Sequence, residues 1–227
     1  MMLSTCICAA AEIVPNAVAS LFAYSSVVDA ARNRRTEMKS IVIALSIGLM
    51  TLPIPAIAQD AFAAYQKGDY ATAYKGFESL ASQGNANAMN NLGIMLMGGQ
   101  GIKKDPMAAA QWFQKSAEKG QLDAITNLGT LYELGQGVPQ NYARAAELYR
   151  AAADYGIGNA QYNLAQLFEA GKGVPKDPAQ AYVWYSLAAR AGDQDAAAAK
   201  TKLEPMLDKT LHGQAEAFVR NWKPKQG

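Results

Sequence analysis

The chain has 227 residues, half of them apolar, with 21 Lys and Arg against 19 Asp and Glu. It is long enough to bury a substantial core. Residues 59–227 carry 17 Lys and Arg against 16 Asp and Glu, one His and no Cys. That balance argues against a nucleic-acid surface, and one His without Cys cannot build a usual zinc site.

Residues 38–58 read as an export signal. Lys39 gives the positive start, residues 41–50 the apolar core, Pro53 and Pro55 the break, and Ala56-Ile57-Ala58 a small-residue cleavage site before Gln59. An uncleaved anchor is the rival, but a spanning helix needs about twenty apolar residues and this run has about ten. The expectation is a periplasmic or secreted protein with no stable transmembrane segment after cleavage. Residues 1–37 hold Glu12, Asp29, Glu37 and both cysteines, Cys6 and Cys8, and fit no signal n-region. They read as text upstream of a start at Met38, misassigned or disordered. Arg34-Arg35 offers a twin-arginine alternative, against which Glu37 stands in a position that wants an apolar residue.

Residues 59–84 form a lead-in hairpin, with Ala61, Ala64 and Tyr65 before the turn at Gly68-Asp69, and Ala73, Phe77, Leu80 and Ala81 after it. Its expected task is to cover the open end of a helical stack. Gly84, Gly120, Gly156 and Gly192 then recur every 36 residues, and the three segments between them align without a gap. A fixed period of this size marks stacked repeats. In the central copy Ala124, Asn127, Leu128, Leu131 and Tyr132 recur at helical spacing up to Gly135. Ala145, Leu148, Tyr149, Ala152 and Ala153 do so up to Gly156. Each unit is therefore a helix hairpin. Gly99, Gly135 and Gly171 stand where first helices end, and Asp105-Pro106, Asn141 and Asp177-Pro178 where second helices begin.

These motifs, Asn127-Leu128-Gly129, Leu131-Tyr132, Gly135, Gly137-Val138, Ala145, Tyr149 and Ala152-Ala153, resemble the Sel-one-like repeat, a relative of the tetratricopeptide repeat. The likeness spans three units over residues 85–192. It implies an all-α superhelix, a solenoid of tandem helix hairpins, that binds a protein or peptide without catalysis or a cofactor. In exported members it implies a role in envelope regulation or assembly. A cysteine-rich exported branch is linked to β-lactam binding or hydrolysis, and a β-lactam- or glycan-binding member is the alternative; that branch staples its hairpins with cysteine pairs. The oligomeric state and the partner are not legible.

Identical positions in all three copies serve packing, so the positions that differ are free for function. On the first helices the variable positions fill an arc of about 140°. They are Met89, Asn90, Ile94 and Met97, then Ile125, Thr126, Thr130 and Glu133, then Gln161, Tyr162, Gln166 and Glu169. These are the candidate partner-binding residues. Met89, Ile94 and Met97 have a second reading, as packing against the lead-in hairpin. Asn91, Asn127 and Asn163 are assigned to backbone hydrogen bonds between hairpins, and Glu133 and Glu169 are expected to face solvent. Trp112 and Trp184 are read as core rather than as a ligand-stacking pair.

Residues 193–227 close the far end: an Ala-rich helix over 194–207, a last helix capped by Thr210 and ending at Trp222, then a solvated tail. His212, flanked by Thr210 and Gln214, reads as a surface or capping histidine rather than a catalytic base.

Overall fold

A computed structural model describes residues 56–226. The described part is all-helical. The lead-in hairpin is α1 (Ala56–Gln66) and α2 (Tyr70–Ser82). The three repeats are α3 (Ala86–Gly98) with α4 (Pro106–Ala117), α5 (Leu122–Leu134) with α6 (Tyr142–Ala153), and α7 (Gly158–Ala170) with α8 (Pro178–Arg190). The far end is α9 (Gln194–Leu203), a 3₁₀ turn (Glu204–Met206) and α10 (Lys209–Asn221). Helix α1 opens at Ala56, so its first three residues belong to the segment read as leader; the rest of that segment lies outside the described residues.

The helix ends follow from local chemistry. Asp105 and Asn141 each accept from a backbone N–H three residues on, at 3.0 and 2.9 Å, and Asp177 accepts from two. These bonds satisfy donors that no helical carbonyl can reach. Gly99, Gly135 and Gly171 sit at φ 66°, 66° and 69° and close the first helices. The second glycine of each turn does a different job. Gly101, Gly137 and Gly173 are also left-handed, and their backbones lie flat on the start of the preceding hairpin's second helix, at Tyr70, Pro106 and Tyr142. The turn is thus a joint between repeats.

Within a hairpin the two helices approach through a small residue. A Cβ on Gly129 would stand 2.8 Å from the Tyr149 ring, and Gly93 stands in the same relation to Phe113. The core runs through the stack in three successive clusters. The first joins Ala61, Phe77 and Leu80 to α3, the second joins Leu96 and Phe113 to Leu128 and Leu131, and the third reaches from Tyr149 through Leu164 to Leu203 and Val219. Truncating Leu131, 2% exposed, to Ala should cost about 2–5 kcal/mol.

The far end differs from the sequence reading. Glu204 still has helical angles and bonds the Lys200 carbonyl, but Pro205 has no N–H to extend the ladder, so α9 stops at Leu203 and passes into the 3₁₀ turn, leaving Met206 exposed. The cap of α10 is Asp208, which accepts from the Thr210 and Leu211 N–H groups at 2.9 and 2.8 Å; Thr210 is inside the helix. The tail is exposed over residues 223–226, as expected, and is also held in place at Lys225. The Lys225 N–H donates to the Asp154 carbonyl and its Nζ to the Asp154 carboxylate, both at 2.8 Å. Trp222 packs on the third core cluster, and Trp222 and Pro224 lie against Gly156.

Candidate functional site

The variable positions of the first helices divide by depth. Met89, Asn90, Thr126 and Gln161 are buried, with exposures of 6%, 7%, 6% and 1%, and cannot meet a partner. Met89 packs with Ala61, Phe77 and Leu80 of the lead-in hairpin, the second of its two readings. Asn90 accepts from the Asn127 amide at 2.9 Å, Thr126 donates to the Leu122 carbonyl, and Gln161 donates to the Ala153 carbonyl at 3.1 Å. The reason is geometric. A first helix inside a stack is covered by its own second helix and also by the preceding hairpin, so the arc free of shared residues is not free of neighbours.

The asparagines are corrected with them. Asn91 bonds the Asn87 carbonyl of its own helix, and Asn127 bonds a side chain of the preceding repeat rather than backbone.

Ile94, Met97, Ile125, Thr130, Glu133 and Tyr162 are half-buried, and Gln166 and Glu169 are exposed. Three of these, Glu133, Gln166 and Glu169, open on one cleft of about 560 Å³ between the second and third repeats and the far end. The turn after α7 adds Lys172 and Lys176, and Leu203 and Met206 add an apolar wall. Sequence reasoning missed these four. The lysines lie in a turn, outside the helical arc, and Leu203 and Met206 come from beyond the repeat.

The two glutamates are not simply solvated. The Tyr149 hydroxyl donates to the Glu133 carboxylate at 2.7 Å and the Tyr185 hydroxyl to Glu169 at 2.8 Å. Thr130 and Asn163, the latter from the next repeat, are further polar neighbours of the Tyr149 phenol. Burial holds both phenols well above the usual phenol range, and the carboxylates add to this. At neutral pH each tyrosine is a donor that fixes a carboxylate, and not a nucleophile.

Trp184 is core, 2% exposed, with the Arg150 guanidinium 5.0 Å above its ring; Trp112 is half-buried under the Lys115 ammonium at 4.5 Å. His212 does not act as a cap. Its Nε2 lies 3.0 Å from the Tyr182 hydroxyl and 3.6 Å from the Glu204 carboxylate. Because that hydroxyl gives its proton to Glu216 at 2.6 Å, it accepts from His212, and Lys200 completes the network at 3.2 Å from Glu216. The hydrogen bond from Tyr182 holds the Glu216 carboxyl below its usual range. This network ties α10 to α8. Among the described residues no group of three or more His, Cys, Asp and Glu side chains could hold a metal ion.

The repeats match known proteins. The Sel1 repeat profile matches residues 86–121, 122–156 and 158–193. No curated protein matches the chain. The crystal structure of a Sel1 repeat protein from Oxalobacter formigenes is similar at 30% identity and a TM-score of 0.62, over 71% of this chain and 67% of that one. The structure of c5321, a protective antigen of uropathogenic Escherichia coli strains displaying an SLR fold, is similar at 30% identity and a TM-score of 0.63. That match covers 66% of this chain and 32% of the antigen, so this chain spans about a third of its length. With three repeats in one solenoid and these two structural relatives, the chain belongs to the Sel1 repeat family.

Proposed function

We propose that the protein is an exported, non-catalytic scaffold that holds a protein or peptide partner of the cell envelope in the cleft opened by Glu133, Gln166 and Glu169. Sel1 repeat proteins are generally protein-interaction scaffolds. The observation that carries the reading is the convergence of variable side chains from two successive repeats on one cleft, with an apolar wall at Leu203 and Met206. A cleft lined by both polar and apolar groups suits a peptide or helix surface. Export rests on the charged, apolar and small-residue order of residues 39–58. Among the described residues no helix is long and apolar enough to cross a membrane.

The test is affinity capture from an envelope extract, comparing the wild type with a Gln166→Lys, Lys172→Glu variant. Both positions are exposed, so the fold is kept and circular dichroism checks it. One protein retained by the wild type and lost from the variant is expected. Equal retention by both removes the cleft from the reading, and retention of nothing removes the scaffold. The intact mass of the exported protein tests the cleavage, which should leave Gln59 at the N-terminus.

A further inference from the structure

We propose a second docking surface, on the turn and second helix of the first repeat, that takes an acidic protein segment carrying a large apolar anchor. It goes beyond the cleft and shares no residue with it. Met107 is 66% exposed, the highest value among the large apolar side chains described, and Ile102 is 39% exposed. Met107 forms a ridge between two grooves, of about 620 and 550 Å³, and lines both. Lys103 and Lys104 stand on the rim of one groove and Lys115 on the rim of the other.

The other two repeats serve as an internal control on what packing requires. Where the first repeat has Ile102, Lys103, Lys104 and Met107, the second has Val138, Pro139, Gln140 and Ala143, and the third has Val174, Pro175, Lys176 and Ala179. The same hairpin closes in all three with matching left-handed glycines. The large exposed side chain at Met107 and the adjacent lysine pair are therefore additions that the fold does not need. An unbranched thioether is an adaptable contact for an apolar partner side chain.

Charge selects the occupant. Among the described residues the ion pairs of lysine are those of Lys200 and Lys225, so the ammonium groups of Lys103, Lys104 and Lys115 face no carboxylate partner. Asp105 and Glu118 line the grooves too and keep their charge, Asp105 capping α4 and Glu118 accepting from Gln114 at 2.9 Å, so the excess of positive charge lies at Lys103 and Lys104 beside the turn. A partner that brings Asp or Glu beside one Leu, Ile or Phe would pair the lysines and seat its apolar group in a groove beside Met107. The grooves on either side of the Met107 ridge can each seat one apolar side chain of a peptide, and three lysines are fewer than the basic clusters that hold an anionic membrane surface.

The test uses a displayed library of random 12-residue peptides selected on the full chain. The counter-selection target is a variant whose turn copies the second repeat: Ile102→Val, Lys103→Pro, Lys104→Gln and Met107→Ala. Those residues already close a hairpin in this protein, so the variant folds, and its thermal unfolding verifies it. The expected result is enrichment of acidic sequences with at least one large apolar residue. Their synthetic peptides should bind the wild type at least tenfold more tightly than the variant, and more weakly as salt rises. Enrichment of basic or neutral sequences, equal binding to the variant, or no enrichment overturns the proposal. So does variant-sensitive binding to vesicles of phosphatidylglycerol by a protein that selects no acidic peptide.

Discussion

Tyr149 and Glu133 form a pair that the stack repeats once and omits once. The Tyr149 hydroxyl donates to Glu133 at 2.7 Å, Tyr185 does the same to Glu169, and the corresponding residues of the first repeat are Phe113 and Met97. Hydroxyl and carboxylate come and go together. Each phenol is buried, and a buried hydroxyl without an acceptor costs about 1–3 kcal/mol. Tyr149→Phe should therefore lower stability by only about 1 kcal/mol in urea unfolding, since half-exposed Glu133 can turn to water. Phe113→Tyr should be the harder change because Met97 is a poor acceptor, and Met97→Glu added to it should recover most of the loss. Additivity of the two would deny the coupling.

The same burial makes the protein sensitive to alkali. Tyr149, Tyr182 and Tyr185 are 0%, 1% and 2% exposed, and burial raises all three phenol pKa values above the ordinary 10.0. In the unfolded chain these phenols ionise near 10, while in the fold they stay protonated. Their stabilisation is complete below about pH 10 and is lost as the pH rises from there through the folded-state values. Unfolding free energy measured at pH 8, 9.5 and 11 should be level over the first step and fall over the second. Tyr149→Phe should shallow that fall, and an unchanged slope would mean that Tyr149 already ionises in the native state.

Two glycines with similar backbone angles should respond differently to Ala. Gly120 and Gly137 have φ of 82° and 73°. A Cβ on Gly120 meets nothing within 4 Å, whereas one on Gly137 runs into the Pro106 carbonyl group. Gly120→Ala should cost about 1 kcal/mol, the left-handed strain alone. Gly137→Ala should cost distinctly more, because backbone rather than a movable side chain blocks it and two repeats must separate. Equal losses in thermal unfolding would show that the turn can shift as a body.

What could be read from the sequence was whatever recurs. Gly135 announces its role because it recurs as Gly171, and Asp177 because Asn141 and Asp105 stand at the same repeat position, while burial of Leu128 and Leu131 follows from helical spacing within one hairpin. Gln161 was misplaced because it meets the preceding hairpin, a contact that one helix's periodicity does not encode, and the same kind of contact decided between the two readings of Met89. The His212 network joins residues about 30 apart through a single departure, Tyr182 where the other copies have Ala110 and Ala146. That departure was a readable signal that α8 faces something other than another repeat. Lys172 and Lys176 reach the cleft from a turn, where helical phase carries no information.

The tail is docked through three residues of unequal weight. Trp222 is half-buried on the third core cluster, Pro224 covers Gly156, and Lys225 holds Asp154 through backbone and side chain. Lys225 is exposed and Asp154 half-buried, so Lys225→Ala should be the mildest of the three losses. The indole matters more, since its removal uncovers apolar surface of the core and its own buried area returns to water. A chain ending at Asn221 should lose about 2–4 kcal/mol, and Trp222→Ala alone should reproduce most of that loss. The damage should be local. Hydrogen exchange should quicken first at residues 152–158 and along α10, whose last turn also receives the Arg190 guanidinium at the Val219 carbonyl, while α3 and α5 keep their protection. Uniform acceleration through all repeats would mean that the tail stabilises the stack as one cooperative unit rather than sealing its end.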